Sequence, residues 1–359
     1  LFKDVFSPIN MPPFRQSAMD GYALNLHDDF TYLLIGEVKA GDGHHIQLNK
    51  GEAVRIFTGA AVPDSANAVI MQEKVTVKEN HLLINNSVSE NKNIRPLGEQ
   101  IKKGALALKK GTKLTPAAIG FLLTLGISKV LIFEKPKIGI LTTGNELIEA
   151  GQKLTFGKIY ESNSGMLKSG LQNFGFSRVS VSKVKDDYQS TLNSLRKIIS
   201  ENDLILISGG ISVGDYDFVG KALIELGTQQ IFYKVKQKPG KPLFFGKLNS
   251  KPIFALPGNP ASALSNFYVY VHPTLERLSG NINFSINKGI AILESDFKKK
   301  GDRAQFLKAH HENGKVTVLE GQSSAMLHTF ATANVLAYIP WNRNKYEKGD
   351  IVEIIHFPT

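Results

Sequence analysis

The chain has 359 residues, a formal net charge of +11 from 43 basic and 32 acidic side chains, and no cysteine. This length favours two to four domains, and the lack of cysteine excludes disulfides, thiolate catalysis and cysteine-based zinc sites. Apolar runs stay short of the roughly 18–20 residues that a membrane span needs, and the basic residues are spread out without a nucleic-acid-binding motif. We therefore expect a cytoplasmic protein that binds neither membranes nor nucleic acids.

The amino-terminal third of the chain predicts β structure. The opening LFKDVF lacks an initiating methionine and a charged, then apolar, leader, so we expect a preceding segment and no signal peptide. Residues 6–104 are rich in Val, Ile, Thr and Gly, and stretches such as EAVRIFTGA alternate as strands do. They predict an N-terminal β-rich domain.

Residues 105–133 predict a helical linking segment. In LTPAAIGFLLTLGI, Thr115 and Pro116 suit the N-cap and the first helical position, and an apolar stripe follows. We expect this segment to form part of a discontinuous domain with the N-terminus.

The rest of the chain predicts an α/β domain followed by β structure. Over residues 134–284, strands such as KIGILTTG, DLILISGG and KPIFALPGNP alternate with helices, which predicts a mostly parallel sheet covered on both faces. Residues 285–359 return to short strands and predict a small C-terminal β domain. The expected fold class is multidomain α/β plus β, with a central three-layer α/β domain flanked by small β-rich domains.

Polar residues and glycines follow the predicted strands of the α/β domain. In an open parallel sheet, ligands bind beyond the carboxyl ends of the strands, so these residues are expected to meet at one edge. They are Thr143, Gly144, Glu146, Asp186, Ser208, Gly209, Gly210, Ser212, Gly214, Asp217, Lys234, Lys238, Lys241, Pro257, Gly258 and Asn259.

The stretch from Ser208 to Gly214 indicates a phosphate site. Glycines let main-chain N–H groups approach an anion, and hydroxyls add further donors. The alternative is that the glycines only form a tight turn. Lys238 and Lys241, on the stiff turn KPGKP, suit a polyanionic ligand, although a solvated loop would carry lysines too.

Three carboxylates are expected beside the phosphate groups: Glu146, Asp186 and Asp217. Such a set predicts Mg²⁺, which needs only one or two carboxylates and keeps its waters next to phosphates. Helix capping is the alternative for Asp217.

The N-terminal domain has polar turns of its own. They contain Asp20, Thr58 and Arg95. Ordinary turn chemistry explains each of them taken singly.

Motifs along nearly the whole chain occur together in one known family. From Ser17 to about Leu327 they are SAMDGYA, RIFTGA, IRPLGE, LTTGNEL, VKDD, SGGISVGDYD, KPGKP, LPGNP and GQSSAML. The chain thereby resembles the molybdopterin molybdenumtransferases, the MoeA proteins, whose eukaryotic relative is the E domain of gephyrin. The TTGNEL and SGG portions are shared with single-domain enzymes that adenylylate molybdopterin. SAMDGYA, KPGKP and LPGNP in combination are specific to the MoeA proteins.

This resemblance implies an activity and its partners. Such enzymes take adenylylated molybdopterin and molybdate, cleave the pyrophosphate bond with Mg²⁺, release AMP and leave the metal on the dithiolene. The family is homodimeric, and each active site is closed by the N-terminal domain of the partner chain. The molybdopterin adenylyltransferase and molybdoenzymes are the protein partners that the resemblance implies.

The resemblance also implies roles for particular residues. Glu146, Asp186 and Asp217 would bind Mg²⁺ and the nucleotide. Lys234 and Lys238 would neutralise phosphate charge in the transition state. The remaining matches complete the site: Asp20 and Thr58 for positioning the reacting group, and Arg95, Lys308 and Ser324 for the molybdate or molybdopterin end.

The chain departs from the family pattern at two positions. Gln100 stands where the family usually has an aspartate, and an amide is a poorer metal ligand and no base. Lys308, in FLKAHH, stands where arginine is more usual, so that charge is kept but the two-pronged donor is lost. The usual N-terminal helical segment is also missing.

Two alternatives stay open at this point. An adenylyltransferase-like enzyme would share the α/β domain, and a gephyrin-like scaffold paralogue would bind without turnover. The sequence leaves the preference between molybdate and tungstate undecided.

Overall fold

The computed structural model of the chain describes residues 1–43, 45–211, 218–281 and 284–357. The chain divides into two compact units, an N-terminal unit (Leu1–Ile132) and a C-terminal unit (Phe133–Thr359). Among the described residues, no helix combines the length and the apolar character that a membrane crossing requires.

The N-terminal unit is built mainly of strands. Its described part contains a six-stranded sheet in the order β6-β3-β5-β4-β8-β7, together with the short pairs β1-β10 and β2-β9. The elements are β1 (Val5–Phe6), β2 (Gln16–Ser17), β3 (Gly21–Leu24), β4 (Thr31–Val38), β5 (Glu52–Ile56), β6 (Ala68–Met71), a 3-10 turn (Gln72–Lys74), β7 (Val75–Lys78), β8 (His81–Ile84), β9 (Ile94–Arg95), β10 (Leu106–Leu108) and α1 (Pro116–Thr124).

Successive residues of this sheet pack on opposite faces, as the strand period of two requires. In β3, Ala23 joins one buried cluster and Leu24 the other. Val69 joins the same cluster as Ala23, and Ile70 joins the same cluster as Leu24.

The predicted cap of α1 is confirmed, since the Thr115 hydroxyl accepts a hydrogen bond from the Ala118 N–H over 3.2 Å.

The first part of the C-terminal unit alternates strands with helices. Its elements are β11 (Ile138–Thr143), β12 (Leu147–Ile148), β13 (Ile159–Tyr160), α2 (Asn163–Asn173), β14 (Val179–Val184), α3 (Tyr188–Glu201), β15 (Leu204–Ser208), α4 (Phe218–Glu225), β16 (Gln229–Tyr233), β17 (Gln237–Lys238), β18 (Phe244–Leu248), β19 (Lys251–Leu256), α5 (Pro260–Asn266), a π-helical turn (Phe267–Val271) and α6 (His272–Leu278).

The described strands of this part form a sheet in the order β14-β11-β15-β19-β18-β16. The first four strands are parallel, as expected, whereas β18 pairs antiparallel with both of its neighbours, β19 and β16. The sequence prediction missed β18. Asn249, at a positive φ of 55°, lies in the two-residue turn that joins β18 to β19, and such a turn favours a hairpin over a crossover.

Alternate residues of the central strands enter two separate cores. Leu204 and Leu206 of β15 pack with α2 and α5, while Ile205 and Ile207 pack with α3 and α4. These strands are therefore buried on both faces, which explains their continuous apolar sequences. Each fully buried Leu or Ile contributes about 1.5–3 kcal/mol.

The sequence ASALSNFYVYVHPTLERLSG, residues 261–280, predicts one long helix. The structure instead places the π-helical turn between α5 and α6. Pro273 has no N–H and cannot complete the regular hydrogen-bond ladder there, so the wider turn has a local cause.

The second part of the C-terminal unit is a β structure. Its elements are β20 (Lys288–Leu293), β21 (Phe297–Lys298), β22 (Ala304–Glu312), β23 (Lys315–Val318), α7 (His328–Thr332), β24 (Val335–Ile339), β25 (Lys345–Tyr346) and β26 (Ile351–His356). The described strands pair in the order β17-β22-β23-β20-β26-β24, and β22 also pairs with β24. The five strands β22, β23, β20, β26 and β24 therefore form a closed sheet. The pairing of β17 with β22 ties residues 237 and 238 to this closed sheet.

Candidate active site

A pocket of about 1140 Å³ lies at the carboxyl edge of the parallel strands in the C-terminal unit. Its walls come from the loops that follow β11, β14, β15 and β19, with further residues from the lysine turn and from the loop before α7. The predicted site residues that line it are Thr143, Gly144, Glu146, Asp186, Ser208, Gly209, Gly210, Lys238, Lys241, Pro257, Gly258, Asn259 and Ser324. The strand-end rule therefore located this edge of the sheet as the position of the pocket.

Some predicted residues lie elsewhere. Lys234 and Lys308 are absent from the lining of this pocket. Ser212, Gly214 and Asp217 lie outside the described residues. Asp20, Thr58 and Arg95 belong to the N-terminal unit.

The glycines after β15 let two loops pack closely. Gly209 has a φ of +93°, and a Cβ there would lie 2.6 Å from the main-chain oxygen of Thr143. Gly210, at a φ of +66°, would bring a Cβ within 2.7 Å of Val219. A side chain at either position would push the loop away from its neighbour. The glycines therefore serve loop packing, and they leave this stretch of main chain at the pocket wall.

The two aspartates after β14 have different partners. Asp186 accepts hydrogen bonds from the Thr143 hydroxyl and from the Asn145 N–H, the latter over 2.9 Å, and it lines the pocket. Asp187 is the N-cap of α3 and accepts from the Ser190 N–H over 2.8 Å. The hydrogen bonds from Ser190 lower the pKa of Asp187. Asp186 therefore belongs to the pocket, and Asp187 caps helix α3.

Glu146 supplies a second carboxylate to the pocket. Its two oxygens lie over Gly144, where a Cβ would approach both to 2.9 Å. Within the described residues, no three carboxylate or imidazole groups lie close enough together to hold a metal ion. Glu146 and Asp186 are the acidic members of the predicted magnesium set that line this pocket.

A buried polar network holds the KPGKP turn. The Gln237 amide donates to the Asn266 side chain over 2.7 Å and accepts from the Tyr270 hydroxyl. Burial, with a smaller effect of Tyr338, raises the pKa of Tyr270 to about 12, so this hydroxyl keeps its proton. Gly240 has a φ of +81° and packs against Asn266, where a Cβ would approach to 2.6 Å.

Lys238 and Lys241 extend from this turn into the pocket lining, together with Arg303. Lys241 and Arg303 also border a neighbouring cavity of about 520 Å³, which Lys234 lines. Lys236, beside it, forms an ion pair with Asp302 over 2.9 Å. One wall of the site is therefore strongly cationic, and Lys234 belongs to the adjoining cavity.

Lys308 stabilises the loop that carries Ser324. Its side chain is 2% exposed, and its ammonium donates to the main-chain oxygens of Gly321 over 2.6 Å and Met326 over 2.8 Å. A third, longer contact of 3.4 Å reaches the oxygen of Ser323. Burial lowers the pKa of Lys308. With its three N–H groups directed at carbonyls, this lysine positions the loop.

The structure adds pocket residues that sequence reasoning missed, among them Tyr160, Glu161, Asn163, Arg303 and Ser323. The sequence SNSGMLKSGLQNFG predicts a helix with Ser162 or Asn163 as its cap. The structure shows no side-chain capping bond from Ser162, and Glu161 accepts from the Ser164 N–H over 2.9 Å instead. The four consecutive polar residues from Glu161 to Ser164 are more than one helix cap needs, and this could have indicated a pocket wall.

In the N-terminal unit, Asp20 and Thr58 form a pair. The Thr58 N–H and hydroxyl both donate to one Asp20 oxygen over 2.7 Å. Both hydrogen bonds lower the pKa of Asp20, and the bond from the main-chain N–H has the larger effect. Asp20 is therefore ionised at neutral pH. Arg95 lies on β9, where it pairs with Gln16 of β2.

Comparison with known proteins covers nearly the whole chain. Residues 1–126 match the MoeA N-terminal region (domain I and II), residues 139–277 the probable molybdopterin binding domain, and residues 291–357 the MoeA C-terminal region (domain IV). A molybdopterin molybdenumtransferase of Haemophilus influenzae is 36% identical over 99% of this chain and 90% of its own length. One from Staphylococcus epidermidis is 31% identical over 99% and 88%.

A solved structure agrees with these matches. The crystal structure of a molybdopterin biosynthesis MoeA protein from Pyrococcus horikosii superposes with a TM-score of 0.85. It is 32% identical to this chain and covers 100% of it and 91% of its own length. By its fold, its motifs and these relatives, the chain belongs to the MoeA family of molybdopterin molybdenumtransferases.

Proposed function

We propose that this chain is a transferase of molybdenum cofactor biosynthesis that cleaves adenylylated molybdopterin, releases AMP and inserts molybdate into the dithiolene. One observation carries the proposal. A single pocket joins the Gly209–Gly210 main chain, the lysines of KPGKP and two carboxylates. Main-chain N–H groups and lysines suit the phosphates of a nucleotide pyrophosphate, and carboxylates suit the Mg²⁺ that accompanies it. A volume of about 1140 Å³ accommodates a ligand of that size.

The cationic wall would bind the phosphates. Lys238 and Lys241 balance the negative charge that develops as the pyrophosphate bond breaks. An oxygen of water bonds to the AMP phosphorus, the bridging oxygen leaves with the molybdopterin phosphate, and the water proton passes to solvent. The Asn259 and Ser324 side chains, joined by a hydrogen bond, would fix the other end of the substrate.

The residues present fit a magnesium ion. Glu146 and Asp186 line the pocket beside the phosphate-binding groups, and Mg²⁺ is commonly held by one or two carboxylates together with substrate phosphates. Bound there, the ion would neutralise charge on the pyrophosphate oxygens. Asp217 stays the predicted third carboxylate.

A homodimer forms part of this proposal, with Asp20, Thr58 and Arg95 supplied by the partner chain. Helix α1 supports it, because Ile119 and Leu123 are 47% and 60% exposed on an apolar helix. Exposed apolar surface of this kind favours association. Light scattering at several protein concentrations would measure the mass.

We also propose the finer architecture and setting that the sequence predicts. A three-layer α/β domain at 134–284 would lie in the chain between β-rich domains at 6–104 and 285–359, with 105–133 as link. The two cores of the parallel sheet support three layers. A cytoplasmic location and handling by the adenylyltransferase and molybdoenzymes complete the proposal.

AMP release from adenylylated molybdopterin, with and without molybdate and Mg²⁺, tests the activity. We expect release that depends on both and that Asp186→Asn reduces by about a hundredfold or more. Asp187→Asn is the matched control, since this neighbour only caps α3. Equal effects of the two changes would contradict a special role for Asp186.

The same assay separates the alternatives. Formation of adenylylated molybdopterin from ATP and metal-free molybdopterin would identify an adenylyltransferase. Tight binding of the nucleotide without release would identify a binding paralogue.

A further inference from the structure

One buried side chain, that of Gln237, joins the KPGKP turn at residues 238–242 to the helical segment after β19. Gln237 is 2% exposed. Its Nε2 atom donates to the main-chain oxygen of Pro239 over 3.2 Å and to Asn266 Oδ1 over 2.7 Å, and its Oε1 atom accepts from the Tyr270 hydroxyl. Both N–H groups and the carbonyl of this amide are therefore in use. Because an unpaired member would be costly, the network favours a single arrangement of the turn.

Arg303 is attached to the same residue. Its Nη1 atom donates to the main-chain oxygen of Gln237 in a longer contact of 3.4 Å. The main-chain oxygen of Arg303 accepts from the ammonium of Lys299 over 3.2 Å, and this ammonium also donates to the main-chain oxygen of Trp341 over 2.7 Å. Lys299 is 4% exposed. Arg303 is thus held at its main chain and at its guanidinium, which has five N–H groups and keeps others for a ligand.

The two attachments meet beside the pocket. Lys238, Lys241 and Arg303 are the cations of its wall. Gln237 pairs with Ala304 across β17 and β22, so the residue before Lys238 adjoins the residue after Arg303. A wall held in this way has one preferred spacing between its charges. Such a preorganised set distinguishes ligands by geometry, whereas cations on a loose loop respond mainly to total charge.

We propose that Gln237 is a positioning residue that holds Lys238, Lys241 and Arg303 at one mutual spacing, so that the pocket selects two phosphates joined as in a pyrophosphate. The inference rests on the proposed function, which assigns the cationic wall to the pyrophosphate of the substrate. Gln237 itself is absent from the lining of the pocket. It therefore acts through the residues that it holds.

Two ligands of the same chemistry measure this spacing. Methylenediphosphonate joins its phosphorus atoms through one carbon, in place of the bridging oxygen of a pyrophosphate, and 1,2-ethylenediphosphonate joins them through two carbons at a closely similar charge. Calorimetry without added metal ions gives Kd for each. We expect the wild type to prefer the shorter ligand by about tenfold. We expect Gln237→Leu to bring the ratio of the two Kd values close to one, because the wall then adapts to either spacing.

A matched control separates positioning from general stability. Asn202 is another buried amide, 5% exposed, and donates to the main-chain oxygen of Ile198 over 2.8 Å. It precedes the amino end of β15, at the edge of the sheet opposite to the pocket. Asn202→Leu also removes a buried hydrogen bond, and it should leave the ratio unchanged.

Tyr270→Phe is a milder second variant. It removes only the bond to Gln237 Oε1 and should lower the ratio by about threefold. This variant provides the test if Gln237→Leu does not fold, and an unchanged ratio in it would then contradict the inference.

The remaining outcomes distinguish the two proposals. A wild type that binds the longer ligand as tightly as the shorter one, or more tightly, would overturn this inference alone. A folded Gln237→Leu variant with the wild-type ratio would do the same. A wild type that binds neither diphosphonate would overturn the assignment of the cationic wall to a pyrophosphate, and this inference with it.

Discussion

The Asn259 amide donates a hydrogen bond to the Ser324 hydroxyl over 3.0 Å, although 65 residues separate the two in the chain. The bond joins the loop after β19 to the loop before α7, and both residues line the pocket. Two motifs that are remote in sequence, LPGNP and GQSSAML, thus meet in one wall.

We expect Asn259→Ala and Ser324→Ala each to weaken the binding of adenylylated molybdopterin. Each change removes the same bond, so the double variant should lose little more than either single one. A coupling of about 0.5–1.5 kcal/mol in a double-mutant cycle would be typical of such a pair. Binding of adenylylated molybdopterin, measured by calorimetry, checks it. Fully additive losses would show that the two loops act independently.

Gly240→Ala should weaken binding of the nucleotide by about tenfold or more, because displaced lysines lose their alignment with the phosphates. A Cβ at this position would lie 2.6 Å from the Asn266 side chain, so the lysine turn must move. Gly151→Ala is the matched control. Gly151 also has a positive φ, +92°, but a Cβ there has nothing within 4 Å. Both variants share the backbone strain, and only the first adds the clash. Equal Kd values for AMP in the two variants would contradict the prediction.

Lys308→Met should lower the free energy of unfolding by about 1–3 kcal/mol, because it leaves the carbonyls of Gly321 and Met326 without their donor. Urea unfolding measures this loss. Lys298→Met, on an exposed strand position, is the control and should change little. An unchanged stability of the Lys308 variant would show that the loop does not depend on this contact.

The same lysine predicts a dependence on pH. Burial lowers the pKa of Lys308 from 10.5, so the unfolded chain binds more protons between the lowered pKa and 10.5. The free energy of unfolding should therefore rise with pH over that window. Lys308→Met lacks this rise, and the difference between the two proteins should widen at alkaline pH. A constant difference from neutral to alkaline pH would contradict the shift.

Thr58→Val should raise the pKa of Asp20 towards its ordinary value of 3.8, since one of the two bonds from Thr58 is lost. The stability that this pair contributes is present above 3.8 and disappears as the pH falls through the lowered pKa. Carbon-13 titration of the aspartate carboxyls would follow the change. Thr76→Val, at an exposed position of β7, is the control. An unaltered Asp20 titration in the Thr58 variant would show that the main-chain bond acts alone.

Sequence reasoning located the site because the topology of a parallel sheet brings strand ends together. That rule needs only the strand positions, and it gave Thr143, Asp186, Ser208 and Gly258 as neighbours. It could not tell whether a side chain turns towards the pocket or towards its own backbone. Asp186 and Asp187 differ in this respect, and only the three-dimensional structure distinguishes them.

Other details depended on contacts between distant segments. The ammonium of Lys308 is directed at carbonyls that lie 13 to 18 residues further along the chain, and no local pattern indicates this. The antiparallel β18 was missed because the sequence prediction placed a loop after the strand at QIFYKV and assigned no element to LFFGKLNS. Asn249 in its two-residue turn was the signal that could have corrected it.

The parallel pairing of β17 with β22 should slow the exchange of amide hydrogens in the lysine turn. Strand β17 pairs with β22 at Ala304 and Gln305, and the Ala304 N–H donates to the main-chain oxygen of Lys236 over 3.2 Å, so the turn is attached to the closed sheet. Its amides should therefore exchange with solvent slowly, at the rate at which that sheet opens, as a cooperative unit. The lysine turn thus shares the protection of the strands to which it is attached.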